Sequence, residues 1–179
     1  MAHPLCIRQK SALSGFHYQA LNDRGDVVAD LVWPHFAQAK NARLRWHPPD
    51  SPEADVQIRT PDGLYRIGFE FLSRGFSNEI RFTLHKGGEP LAVADVLPPK
   101  AALQRPQMHL LLPLTAQLVS VRSWGRVCYR LEQAGHILGT VEEPHWFSLK
   151  RALLVTLPAD LDLPVQGFMA FLVINAAFR

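Results

Sequence analysis

The chain has 179 residues, enough for one domain with a sizeable core. Apolar residues make up 47% and charged residues 20%, ordinary values for a soluble globular protein. The net charge of +3 arises from 14 Arg and 5 Lys against 16 acidic residues, and no block of five or more like charges exists; a basic tail of the nucleic-acid-binding kind is thereby excluded.

Taken in chain order, residues 1–12 lack the apolar region of a secretory signal, so a cytoplasmic location is expected, and the segment reads as a flexible N-terminal stretch. Strands are predicted at Phe16–Leu21 and Val27–Val32, separated by the turn Asn22-Asp-Arg-Gly-Asp26. In Ala42–Trp46, Leu44 and Trp46 oppose Arg43 and Arg45. After the proline-rich His47–Pro52 and a strand at Val56–Arg59, Tyr65, Ile67, Phe69 and Phe71 line one face of the next strand and Arg66, Gly68 and Glu70 the other. Ile80, Phe82 and Leu84 then oppose Arg81, Thr83 and His85. Such alternation is that of half-buried antiparallel strands, with the apolar side chains in the core.

Further strands are predicted at Leu91–Val96, His109–Leu112, Gln117–Arg122, Arg126–Leu131, Ile137–Glu142 and Leu149–Leu157. Pro61-Asp-Gly63, Gly87-Gly88 and Gln133-Ala-Gly135 supply reversals, and a short helical turn fits Ala101–Gln104. About eleven short strands with regular turns indicate a sandwich or barrel.

The last segment, Leu163–Phe178, has no charged residue and is apolar on almost every side of a helix. A surface helix carries one apolar stripe, so this one must be enclosed. It falls short of the ~20 residues of a membrane span, and Gln166, Gly167 and Asn175 dilute it further. Asp160 or Asp162 is placed to cap it, and Pro164 suits its first turn. Eight strands leave room only for side chains or one small ligand, whereas eleven or twelve can surround a helix. The fold expected is therefore mainly β: a closed antiparallel barrel of about twelve strands enclosing a C-terminal helix, in a single domain over 1–179.

This order resembles the Tubby C-terminal-like superfamily, which includes Tubby domains, phospholipid scramblases and plant LURP-one-related proteins. The residues that carry the resemblance are Gly135-His-Ile-Leu-Gly139, Leu153–Leu157, Asp160, Asp162 and Leu163–Phe178. It implies a twelve-stranded barrel threaded by a hydrophobic helix. Tubby domains bind phosphoinositide head groups through basic residues, but the five lysines here are scattered. Scramblases carry a calcium-binding-like segment before the last strand; the corresponding Glu142–Ser148 lacks the alternating Asp/Asn ligands and the glycine of a calcium loop. The LURP-one-like branch fits best.

Phosphate-loop, dinucleotide, zinc-protease and nucleophile-elbow motifs are all absent from the sequence. No metal and no cofactor are expected. Cys6 and Cys128 lie too far apart in sequence for a zinc or disulfide framework. Cys128, between Arg126 and Arg130, reads as a thiol of lowered pKa or as a spectator. Glu142, Glu143 and His145 suggest a metal or acid–base cluster, but adjacent strand residues point apart.

Arg43, Arg45, Arg66, Arg81, Arg122, Arg126 and Arg130 are the candidate binding residues, because guanidinium groups on the polar strand faces can grip anionic head groups or an acidic protein. The expected function is a non-enzymatic binding module for an anionic phospholipid surface or a protein, neither membrane-spanning nor nucleic-acid-binding. The alternatives are a small-ligand carrier of lipocalin type, with its helix outside an open barrel, and a hydrolase or metal enzyme built on scattered His and Glu.

Overall fold

The computed structural model describes residues 4–11, 15–34, 55–73, 79–99, 104–121, 126–144 and 150–177. Twelve strands follow one another: β1 (Leu5–Gln9), β2 (His17–Leu21), β3 (Val27–Val32), β4 (Val56–Thr60), β5 (Gly63–Phe71), β6 (Ile80–Lys86), β7 (Glu89–Leu97), β8 (Gln107–Leu112), β9 (Ala116–Ser120), β10 (Cys128–Gln133), β11 (His136–Glu142) and β12 (Ala152–Thr156). The helix α1 (Leu163–Ala177) follows them. Each strand pairs antiparallel with its chain neighbours, and β1 pairs with β12, so the sheet closes into a barrel.

The period-two patterns sort side chains as expected. Ile7, Tyr18, Leu31, Ile58, Ile67, Leu84, Leu110, Leu118, Leu131 and Val155 point inward and are buried, while Arg66, Arg81, Asp95, His109, Gln117, Arg130 and Glu142 share the outward register. A polar outside and an apolar inside is the reverse of the alternation in a strand barrel that spans a bilayer. Among the described residues, no helix is long and apolar enough to cross a membrane.

The interior is occupied by α1. Its 15 residues span ~22 Å at the usual helical rise. Val165 and every residue from Gly167 to Asn175 are buried. The helix approaches β3, β4, β7, β11 and β12, on all sides of the ring. The Phe171 ring meets Phe16 at 5.8 Å and Phe82 at 5.3 Å, both edge-on. Gly167 lets the helix close on β4, where an added Cβ would stand 3.2 Å from Ile58 Cδ1. The first turn is tied by the Gln166 amide side chain, which donates to the Leu161 carbonyl at 2.8 Å, while the Gln166 N–H donates to the Asp162 carbonyl. Asp162 thus takes the N-cap position through its backbone.

Because the strands alternate in direction, the connections sort by end. The tight reversals 22–26, 61–62, 87–88, 113–115 and 134–135 lie at one end, where α1 also enters. The connections 10–16, 33–55, 72–79, 98–106, 121–127 and 143–151 begin and finish at the other.

Three expectations need correction or placement. The segment 1–12, read as flexible, contributes β1, which closes the barrel between β2 and β12; its two inward residues, Leu5 and Ile7, were too short a signal to register as alternation. Phe69 and Phe71 keep the register of Tyr65 and Ile67 but are 51% and 48% exposed, because β5 carries them to the rim of the barrel. The predicted strand Ala42–Trp46, the helical turn Ala101–Gln104 except for Gln104 itself, which is not helical, and Phe178 lie outside the described residues.

Candidate functional site

With the lumen filled by its own helix, chemistry in this barrel belongs to the outer wall and the ends. Register places one polar row across half of the wall: Glu70, Arg81, Asp95, His109, Gln117 and Glu132 stand opposite one another on β5 to β10. Arg81 grips Asp95 with two parallel bonds, Nε to Oδ1 at 2.7 Å and Nη2 to Oδ2 at 2.9 Å, and lies 3.9 Å from Glu70. Planar, bidentate contacts of this kind are the strong ones. Arg81 is therefore committed to its neighbours, and its pKa rises with the Asp95 hydrogen bond as the main cause.

The other candidate arginines divide. Arg126 donates through Nε at 3.1 Å, and also through Nη2, to the Glu143 carbonyl, while the Glu143 carboxylate accepts the Val127 N–H at 2.7 Å. Arg126 thus ties the entry of β10 to the exit of β11. Arg130, opposite Thr140 and Val119, and Arg66, opposite Gln57 and His85, are on the outer wall in different sectors, five strands apart in the ring. Arg43, Arg45 and Arg122 lie outside the described residues. The four described candidates, Arg66, Arg81, Arg126 and Arg130, do not gather into one face.

Glu142 and Glu143 do point apart: Glu142 Oε2 is 3.8 Å from Cys128 Sγ, whereas Glu143 turns to Val127. His145 lies outside the described residues. Among the described residues no three His, Cys, Asp or Glu side chains gather as a metal site. Of the two readings of Cys128, the thiol of lowered pKa is contradicted. Burial raises its pKa first, Glu142 raises it further, and the Arg130 charge opposes them. The flanking arginines were legible in sequence; the carboxylate on the next strand was not. Burial likewise raises the Cys6 thiol.

No family model, curated protein or solved structure matches this chain. Its function must therefore be read from its own geometry.

Two features escaped the sequence reading. On β2 and β3, His17 Nε2 lies 2.8 Å from Asp30 Oδ1, and Gln19 Nε2 donates to the same oxygen at 3.4 Å. This polar clamp joins two strands diagonally, and no linear motif announces it. At the end with the long connections, Phe69, Phe71 and Leu72 are exposed beside an inner cluster of rings, with Phe69 5.8 Å from Phe71 and 6.2 Å from buried Phe82. Aromatic side chains in this position offer contact area at the rim while the base of the cluster stays fixed in the core.

Proposed function

We propose that this chain is a non-enzymatic binding module of Tubby-like, LURP-one-like type that engages a protein partner through its exterior. The observation that carries this reading is the enclosed helix. With Phe168, Phe171 and Leu172 fully packed in the lumen, the space a lipocalin-type carrier gives to its ligand is taken. The twelve-strand ring and its C-terminal helix support the family resemblance. The exposed Phe69, Phe71 and Leu72, at the end where the long connections begin and finish, supply the apolar anchors that protein interfaces use. Among the described candidates, the dispersal of Arg66 and Arg130, together with the engagement of Arg81 and Arg126, favours a protein over an anionic membrane, which needs several free cations on one face. We place the module in the cytoplasm.

Co-sedimentation with phosphatidylserine vesicles at low salt tests the choice of partner. The protein-binding reading expects no more protein in the pellet than with neutral vesicles. Salt-sensitive binding to the anionic vesicles would move the assignment to a lipid surface. Stoichiometric zinc or iron in the purified protein, together with substrate turnover, would overturn the binding-module reading itself.

A further inference from the structure

Between the β8–β9 and β10–β11 hairpins, at the tight-turn end, the outer wall holds a cleft of about 370 Å³. That is within the usual size range of a small-ligand site, at its lower end. Its ionisable lining groups are His109 on β8 and Glu132 on β10. They stand opposite either side of Gln117 on β9, which puts their Cα atoms two strand spacings, about 10 Å, apart. Both side chains are half-buried. Among the described residues neither has a hydrogen-bonding partner. Their polar atoms are reached by solvent, since among the described residues no buried side-chain nitrogen or oxygen lacks a partner, and they are open to a guest from outside.

The backbone around the cleft is irregular on both sides. The β7–β8 ladder shifts register between Val93 and Ala94, which leaves Leu111 as the extra residue and turns it toward the cleft. The β10–β11 ladder shifts at Leu131 and Glu132. Bulges of this kind re-aim side chains and concentrate beside functional sites. The lip is Ala134, at φ 49°, the one non-glycine residue with positive φ among the described residues. Gln133 Nε2 donates to the Thr115 carbonyl at 3.1 Å and pins the two hairpins together.

We propose that this cleft binds a small organic ammonium group, held by the Glu132 carboxylate and His109. The Glu132 carboxylate only accepts hydrogen bonds, and the Gln117 amide can turn its carbonyl oxygen toward the same guest. The charge of Glu132 is what selects a cationic donor. Leu111 and Ala134 provide an apolar wall for a short alkyl stem. The two outward ligating side chains are too few for a tight metal site, which takes three or four. This inference is independent of the protein-binding reading above, since it concerns the opposite end of the barrel.

The test is an amide-resonance titration of the full chain with butylammonium, butyrate and 1-butanol. Saturable shifts at residues 115–117 and 132–135 are expected with butylammonium alone. Glu132→Gln keeps the shape and removes the charge, and should weaken binding about tenfold or more. Gln117→Glu adds a second carboxylate to the row and should tighten it. Equal shifts with butyrate or butanol, no saturable shift, or unchanged affinity in Glu132→Gln would overturn the proposal. Where Glu132→Gln loses its dispersed spectrum, Gln117→Glu decides alone, and unchanged affinity in it counts against the site.

Discussion

Two strand glycines separate space from conformation. At Gly139, an added Cβ would collide with the Thr156 carbonyl oxygen, with Leu157 behind it. That obstacle is backbone, so β11 and β12 must part. Gly139→Ala should lower stability by about 3 kcal/mol or more, read from the urea midpoint. Gly68 is the converse. Its outward Cβ would meet nothing within 4 Å. Gly68→Thr should stabilise by about 0.5–1 kcal/mol, because a β-branched residue suits a strand and the unfolded chain loses freedom. Ala134 is strained in the same sense as a misplaced turn residue: its two-residue hairpin loop favours Asn or Gly at both positions. Ala134→Gly should raise the melting temperature modestly. The sequence placed Gly139 in a late strand but could not show the approach of β12, a contact between distant residues.

At the scale of elements, the strands from β2 to β12 were legible because one face of each is apolar and turn residues separate them. Val27–Val32 keeps its predicted bounds, and the others shift by a few residues at their ends. What alternation could not give was the breaks in itself. Ile137 was expected within a plain strand, yet the register shift beside it turns it outward to 57% exposure. The helix was legible for a different reason: an apolar residue on every side leaves no solvent face. Within it, Phe171 anchors three layers of rings by contacting Phe16 and Phe82. Phe171→Ala should cost about 3–5 kcal/mol of stability, measured by denaturant unfolding, because the helix is held on all sides and cannot collapse into the void.

The whole molecule is a barrel whose core is its own C-terminus, and its pH response follows from that core. Tyr129 is inward on β10, its hydroxyl donates weakly to the Pro106 carbonyl at 3.4 Å, and burial pushes its pKa up to about 12. Its ordinary value is near 10. The folded state therefore holds the proton more tightly than the unfolded state. Stability from this group is complete below pH ~10 and is lost as pH rises toward ~12. A melting series across that interval should fall, and Tyr129→Phe should flatten the fall.

The candidate site was far less legible than the fold. Arginines on polar faces are visible in sequence, but whether a guanidinium is free depends on the strand beside it. Arg81 is spent on Asp95 and Arg126 on the Glu143 carbonyl, partners 14 and 17 residues away.

Native-state hydrogen exchange of residues 165–174 addresses the enclosed helix most directly. If α1 fills the barrel, its amides can exchange only when the whole barrel opens, with protection equal to that of the central amides of β6 and β8 and the same response to denaturant. Exchange of 165–174 at markedly lower free energy, with the strand amides still protected, would mean that the helix leaves a standing barrel. The lumen would then be available to a ligand after all.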